Sequence, residues 1–187
     1  MKKICIALSV FIFMLIKSAD AQKNGYVIGL NNDTVHCYVE LNRWLAPQYK
    51  SPLDEKFHKI KTKYLNGYHI AGDRYYYTVK SVGKKQKKQF VAYIERGKID
   101  FYYANVPYSK ERYMAYNAYW YVAKGEDPLQ LILMQEDWLF PKKGRKILYD
   151  MLNDNQALAS EFNNDKKFDF YSVRSYIQRY NLAAVKQ

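Results

Sequence analysis

The order of two hydrophobic patterns is the feature that most restricts the fold of this chain. Between residues 25 and 134, apolar and polar side chains alternate in short runs separated by turn residues, which is the pattern of half-buried β-strands. From Lys142 onward the apolar spacing becomes helical. Strands followed by helices are typical of an α+β fold. The sequence therefore predicts an antiparallel sheet of about seven to nine strands, with two or three C-terminal helices packed on one face or end of it.

Turn residues place the predicted strands. The turn at residues 31–33 joins strands 25–30 and 34–41 into a hairpin, and a second hairpin turns at Arg96-Gly97. Residues 42–56 contain two prolines and predict a loop or an edge segment. The other predicted strands are 57–63, 67–71, 74–80, 89–95, 98–104, 113–123 and 129–134.

The helical part shows three apolar stripes. Pro141 suits the first turn of the first helix, Asn153-Asp154 interrupts the pattern, and Asp169 is the expected N-cap of a third helix. The stripes consist of Ile147, Leu148, Met151 and Leu152, then Leu158 and Phe162, then Val173, Tyr176, Ile177 and Tyr180.

The first 21 residues predict a secretory signal peptide. Lys2 and Lys3 precede an apolar run of 13 residues, Ile4 to Ile16, and Ala19-Asp20-Ala21 matches a cleavage site. This run is shorter than the ~20 residues needed to cross a bilayer. We therefore expect a mature single α+β domain over 22–187, without a transmembrane helix after cleavage. The expected location is the periplasm, the outer-membrane periphery or the exterior.

The mature chain is strongly basic. The full chain has a formal net charge of +12, of which the signal segment accounts for +2, so the mature chain carries +10. Anionic partners such as anionic glycans, lipopolysaccharide and phospholipid head groups are therefore favoured, whereas export makes nucleic acid an unexpected partner. Cys37 is the single cysteine of the mature chain. The alternating pattern predicts a buried thiol, with His36 on the opposite face of the strand.

A run of lysines at a predicted hairpin tip is the sharpest local feature, and tyrosines occupy the strand before it. Cations beside aromatic rings suit an anionic polymer. The alternative is a solvated hairpin tip whose lysines prevent edge-to-edge aggregation. A second basic set opens the first helix, where cations are mildly unfavourable to the helix dipole. The predicted binding surface consists of Lys84, Lys85, Lys87, Lys88, Tyr75 and Tyr77.

An aromatic run at residues 113–121 is the other candidate surface. In a strand, Tyr119 and Tyr121 share one face with Tyr113, while Tyr116 and Trp120 share the other face. Aromatic rings on both faces predict a central strand that is covered on both sides.

No catalytic or metal motif stands out, and no cofactor is predicted. His36, His58 and His69 lack the spacing of a zinc site, and there is no Gly-x-Ser-x-Gly elbow. A secreted glycosidase would need two carboxylates, one on each side of the scissile bond. The candidates at predicted strand ends and turns are Asp33, Asp73, Glu95, Asp100 and Asp127.

The mature chain contains five short motifs: Gly25-Tyr26-Val27, Asn32-Asp33-Thr34, the run 97–103, the segment 121–125 and Tyr180-Asn181. In this layout the chain resembles a group of exported β-rich proteins of Bacteroidota that have no assigned activity. Such proteins often carry Gly-Asp-Thr at the first turn, where this chain has Asn32, which also accepts a positive φ. The resemblance implies export and a β-rich fold.

Together these features favour an exported, non-enzymatic binding or interaction module of the bacterial envelope. The expected partner is an anionic or glycan component of the envelope, or a protein. Two alternatives stay open at this point. One is a secreted hydrolase that uses the strand-end carboxylates, and the other is a structural accessory of an outer-membrane complex.

Overall fold

Ten strands followed by three helices make up the described part of the chain, and this confirms the α+β class. The computed structural model describes residues 25–42, 46–82, 86–110, 113–134 and 141–185. The predicted signal peptide therefore lies outside the described residues. The chain divides into two compact units, Met1–Tyr76 and Tyr77–Gln187.

The first unit contains an antiparallel sheet whose first two strands form the predicted hairpin. In its turn, Asn32 adopts a φ of 63°, a left-handed conformation that asparagine tolerates well. Cys37 is buried and His36 is exposed, as the alternation predicts. The strands are β1 (Gly25–Gly29), β2 (Thr34–Leu41), β3 (Pro47–Lys50), β4 (His58–Lys59) and β5 (Leu65–His69), in the sheet order β5-β1-β2-β3-β4.

Two short strands of the first unit, β3 and β4, differ from the sequence-based expectation, and β3 brings the total from the nine predicted strands to ten. Pro47 begins β3 opposite Leu41, inside the segment 42–56 that predicted a loop or an edge, because a proline is tolerated at the first residue of a strand. The predicted strand 57–63 is reduced to the two residues of β4. Ile60 is its one buried residue, so little apolar surface favours a longer strand.

The second unit contains a second antiparallel run of strands. The predicted hairpin at Arg96-Gly97 is confirmed, and its second strand pairs with the next along twelve residues each. The strands are β6 (Tyr76–Val82), β7 (Lys87–Glu95), β8 (Ile99–Lys110), β9 (Tyr113–Lys124) and β10 (Gln130–Met134), in the order β10-β9-β8-β7-β6. The first residue of β6, Tyr76, belongs to the first unit.

Three helices, α1 (Pro141–Leu152), α2 (Gln156–Asn164) and α3 (Phe170–Ala184), pack against one face of this sheet. All the predicted stripe residues lie in this core, with Ile147 partly buried and the others buried. The predicted cap at Asp169 is confirmed, and it forms a capping box with Ser172. Among the described residues, no helix has the length and apolar content needed to cross a membrane. The sheet contributes Ile99, Phe101, Val122 and Ile132 to the core.

One cation at the basic start of α1, Arg145, has a role inside the fold. The guanidinium of Arg145 donates to the carbonyl oxygens of Phe162 and Lys167, at 2.5 and 3.3 Å, and thereby caps the end of α2. A side chain on neighbouring Gly144 would place its Cβ 1.9 Å from the carbonyl oxygen of Ile132, so α1 approaches β10 closely. The attraction to α2 offsets the mild dipole cost of Arg145.

The opposite face of the strands of the second unit carries its own apolar cluster. Tyr102 and Tyr121 are buried there, and burial raises the pKa of both phenols. Because Val122 is buried on the helical face, β9 is buried on both faces, as the aromatic pattern predicts. The side chains of Tyr113 and Tyr116 lie outside the described part of the structure.

Candidate functional site

The lysine run that the sequence singles out is only partly described. Lys84 and Lys85 lie outside the described residues. Lys87 and Lys88 are exposed at the start of β7, opposite Val82 and Ser81. As consecutive strand residues, they point to opposite faces of the sheet.

The two predicted tyrosines lie in different units. Tyr77 is half-buried in β6, opposite Ala92, and strand alternation puts it on the same face as Lys88. Tyr75 precedes the strand in the first unit, where the guanidinium carbon of Arg74 lies 4.7 Å from its ring centre.

A cavity in the first unit brings aromatic rings and cations together in a way that the sequence did not reveal. Its volume is about 330 Å³. The residues come from β3, from β4 and the residue before it, from the segment that leads into β5 and from the first residue of β5. They are Tyr49, Phe57, His58, Lys59, Lys61, Tyr64 and Leu65.

Strand pairing and local turns position the rings of this cavity. Tyr49 is the cross-strand partner of His58, and their ring centres are 5.5 Å apart. Phe57 makes an edge contact with Tyr38 at 6.0 Å. The backbone N–H of Tyr64 donates to the carbonyl oxygen of Lys61 at 3.0 Å, in a turn that precedes β5. The cavity is therefore built from a sheet edge and a hydrogen-bonded turn.

Large aromatic side chains remain exposed at this cavity. Phe57 is 43% exposed and Tyr64 is 57% exposed. Lys63 places its Nζ 5.4 Å from the ring centre of Tyr64, which is a cation–π distance. Exposed rings beside a concave surface are typical of binding sites.

The cavity lies in a basic segment. Residues 46–65 contain five lysines against Asp54 and Glu55, a net charge of +3. The Asp54 carboxylate is engaged by His58 Nε2 at 2.5 Å, and the backbone N–H of Lys56, followed by His58, lowers the pKa of this carboxyl group. The electrostatic field at the cavity therefore favours an anion. The five lysines are Lys50, Lys56, Lys59, Lys61 and Lys63.

The histidines do not form a metal centre in the described residues, where no group of three or more His, Cys, Asp or Glu side chains is placed to hold an ion. His36 and His69 flank Tyr26 across β2, β1 and β5, with ring centres 6.0 and 5.3 Å from that of Tyr26. Burial raises the pKa of Cys37, which suits a structural thiol.

The strand-end carboxylates are divided between the units, with Asp33 and Asp73 in the first and the other three in the second. Glu95 accepts from Arg174 Nε at 2.5 Å and from Gln178 at 2.6 Å. Asp100 accepts from the backbone N–H of Gly97 and from the hydroxyl of Tyr102. These contacts give Glu95 and Asp100 structural roles.

A polar cluster of the second unit surrounds Asp154, which lies between α1 and α2. The Asp154 carboxylate forms ion pairs with the Nζ atoms of Lys98, at 3.1 Å, and Lys124, at 2.9 Å. It also accepts a hydrogen bond from the Tyr180 hydroxyl at 2.7 Å. Burial raises the pKa of Asp154, but the hydrogen bonds from Lys124, Tyr180 and Lys98 outweigh it and hold that pKa well below its usual range. The cluster borders a cavity of about 240 Å³.

The neighbouring Asn181 side chain completes the start of β8. Its amide donates to the carbonyl oxygen of Ile99 at 2.8 Å and accepts from the N–H of Ile99 at 2.9 Å. Gly97 leaves room for this contact, because a Cβ there would lie 2.3 Å from Asn181 Cγ. The short motifs around Gly97, Lys124 and Tyr180 therefore meet at one place, although sequence alone did not connect them.

A scan of protein-family models finds no match to this chain, and neither does a search of curated proteins or of solved structures.

Proposed function

We propose that the protein is an exported, non-enzymatic binding module of the bacterial envelope, and that the cavity of the first unit holds an anionic glycan. The observation that supports this most directly is the combination of exposed rings, at Phe57 and Tyr64, with the cations of Lys59 and Lys61 around one cavity. Its volume of about 330 Å³ lies at the lower end of the range of ligand sites, roughly 300–1,000 Å³.

Each component of the cavity would recognise a different part of such a ligand. The C–H face of a sugar ring stacks on the apolar face of an aromatic ring. A carboxylate, sulfate or phosphate on the sugar pairs with lysine as a point charge. Tyr49 and His58 add polar atoms on ring side chains. An anionic saccharide uses all three features at once, whereas a neutral saccharide uses the rings alone.

The test is calorimetric titration of the chain 22–187 with oligogalacturonate, which carries one carboxylate per sugar, and with a neutral oligogalactan of the same length. We expect oligogalacturonate to bind more tightly than the neutral saccharide. This preference should weaken as salt rises from 50 to 300 mM, because the Debye length is only ~10 Å at about 0.1 M ionic strength and shortens further as salt is added. Equal binding of the two saccharides, or no binding of either, would refute the proposal.

Matched charge reversals distinguish this cavity from the lysine run. The double variant Lys59→Glu/Lys61→Glu should lose oligogalacturonate binding at least tenfold. A second variant changes all four lysines of the run to Glu, at Lys84, Lys85, Lys87 and Lys88. It lowers the net charge further, but its affinity for oligogalacturonate should stay within about threefold of the wild type if the cavity is the site. The opposite result would assign binding to the lysine run. Tighter binding of oligodeoxythymidylate than of any saccharide would assign the same rings and cations to nucleic acid.

A further inference from the structure

A histidine–aspartate pair lies at the cavity of the first unit, and we propose that it makes the binding of an anionic glycan there depend on pH. Protonation of the His58 imidazole adds a positive charge beside Lys59 and Lys61, so the glycan binds more tightly in a mildly acidic medium than at pH 8. This regulation rests on the function proposed above, because it acts through the same cavity.

The pair is held in a defined geometry. His58 Nε2 lies 2.5 Å from Asp54 Oδ2, while the other carboxylate oxygen, Oδ1, accepts a hydrogen bond from the backbone N–H of Lys56 at 2.9 Å. The backbone N–H of Asp54 donates in turn to the carbonyl oxygen of Ser51 at 3.1 Å. The chain therefore fixes one oxygen of the carboxylate and presents the other to the imidazole.

This geometry determines which nitrogen gains the proton. An ionised carboxylate only accepts hydrogen bonds, so the neutral imidazole carries its hydrogen on Nε2 and donates it to Asp54. A proton from the solvent then binds Nδ1 of His58, and the net charge of the pair rises from −1 to zero. Asp54 stays ionised, because the backbone N–H of Lys56, followed by His58, lowers the pKa of its carboxyl group.

The groups around the imidazole act in both directions. Tyr49, the cross-strand partner of His58, has its ring centre 5.5 Å away, and an aromatic ring at this distance favours the imidazolium, as the Asp54 carboxylate does. The phenol of Tyr64 also lines the cavity. The lysines of the adjoining segments disfavour the imidazolium. The charged residues of these segments are Lys50 in β3, Glu55 and Lys56 before β4, Lys59 in β4, and Lys61 and Lys63 after it.

An anionic ligand changes this balance. Its negative charge offsets the repulsion from the lysines and favours the imidazolium, and by linkage the imidazolium favours the ligand to the same extent. The side chains of His58 and Asp54 are 47% and 41% exposed, so solvent screens the added charge. We therefore expect a gain in affinity on the order of threefold rather than a hundredfold.

The test is calorimetric titration of the chain 22–187 with oligogalacturonate at pH 5.5 and at pH 8, at one salt concentration. The carboxylates of the ligand stay ionised at both pH values, so a change in affinity comes from the protein. We expect binding to be about threefold tighter at pH 5.5. Equal affinity at the two pH values would overturn the regulation and leave the proposed function standing, whereas no binding at either pH would refute both.

Two histidine variants locate the effect. His58→Gln cannot gain a proton, so it should bind oligogalacturonate with the same affinity at both pH values, close to that of the wild type at pH 8. The matched control is His36→Gln, which changes another exposed histidine of the first unit that does not line the cavity, and it should keep the pH dependence of the wild type. PH dependence that persists in His58→Gln, or disappears in His36→Gln, would overturn the assignment.

Proton uptake is a measurement that a purely structural role of the pair would not change. Near about pH 6.5, oligogalacturonate should draw more protons onto the wild type than onto His58→Gln, and heats of binding in two buffers of different ionisation enthalpy give that difference. Asp54→Asn should move the midpoint of the pH dependence to lower pH, because the imidazolium loses its counter-ion. Equal proton uptake by the two proteins, or an unchanged midpoint in Asp54→Asn, would contradict the proposal.

Discussion

The contact between Gly97 and Asn181 makes a quantitative prediction about stability. An alanine at position 97 would put its Cβ 2.3 Å from Asn181 Cγ and 2.5 Å from Nδ2. Carbon atoms in contact are normally about 3.5–4.0 Å apart. The Asn181 amide would have to move by more than about 1 Å, and it would lose both hydrogen bonds to the backbone of Ile99.

The cost follows from the burial of Ile99. This residue is fully buried, so its N–H and carbonyl oxygen gain no water when the amide leaves. A net hydrogen bond is worth about 0.5–1.5 kcal/mol, and a buried group left without a partner costs about 1–3 kcal/mol. We therefore expect Gly97→Ala and Asn181→Ala each to lower the free energy of unfolding by about 2–4 kcal/mol.

The double variant is the decisive measurement. In Gly97→Ala/Asn181→Ala the new methyl group at position 97 no longer meets an amide at position 181. The hydrogen bonds that are missing are the same as in Asn181→Ala alone. We expect the double variant to be about as stable as Asn181→Ala, so that the two effects deviate from additivity by the whole effect of Gly97→Ala, about 2–4 kcal/mol. Leu182→Ala is the matched control, and as an exposed substitution it should change stability by less than about 0.5 kcal/mol.

Urea denaturation followed by helical circular dichroism is the appropriate assay, because all three described helices belong to the second unit. The midpoint and slope of the transition give the free energy of unfolding. Additive effects of the two single substitutions would refute the reasoning. A Gly97→Ala protein as stable as the wild type would do the same, because it would show that the amide can relax without losing its partners.

Three further predictions concern other contacts. Asp154→Asn should lower the free energy of unfolding at pH 7, and this loss should become smaller below about pH 4. A carboxyl group with a lowered pKa adds stability above its unfolded pKa of about 3.9, and that stability is lost as the pH falls towards the folded pKa. Urea titrations that give the same loss at pH 7 and at pH 3 would contradict this. Arg145→Met should cost about 2–3 kcal/mol in thermal unfolding through loss of the bonds to the end of α2, and an unchanged melting temperature would refute the capping role. Cys37 should react with a thiol reagent only in denaturant, and fast labelling of the native chain would disprove its burial.

Local signals predicted much of the second unit. Hydrophobic periodicity identified the buried faces of all three helices, and a short polar residue before an apolar run identified the cap at Asp169. The hairpin at Arg96-Gly97 could be predicted in the same way, and so could the buried position of Cys37 in the first unit, because turn chemistry and strand alternation act over a few residues.

The candidate sites were not accessible in this way. Tyr49 lies in a segment whose prolines predicted a loop or an edge segment, Phe57 begins the predicted strand 57–63, and Tyr64 follows it. Nothing in the sequence indicated that the three share a cavity. The lysine run drew attention because its members are adjacent in the chain, yet two of its described members point to opposite faces of a strand.

By itself, the sequence determined the order of strands and helices, the faces that are buried and the basic character of the chain, because these depend on composition and on short periodicities. Only the tertiary structure decided three contacts. Asn181 forms hydrogen bonds with the backbone of Ile99, Asp154 contacts two lysines and a tyrosine, and exposed rings and cations surround a cavity. A periodicity states that a face is buried, but it does not state which face of another element covers it. That choice depends on the packing of residues that are distant in the chain.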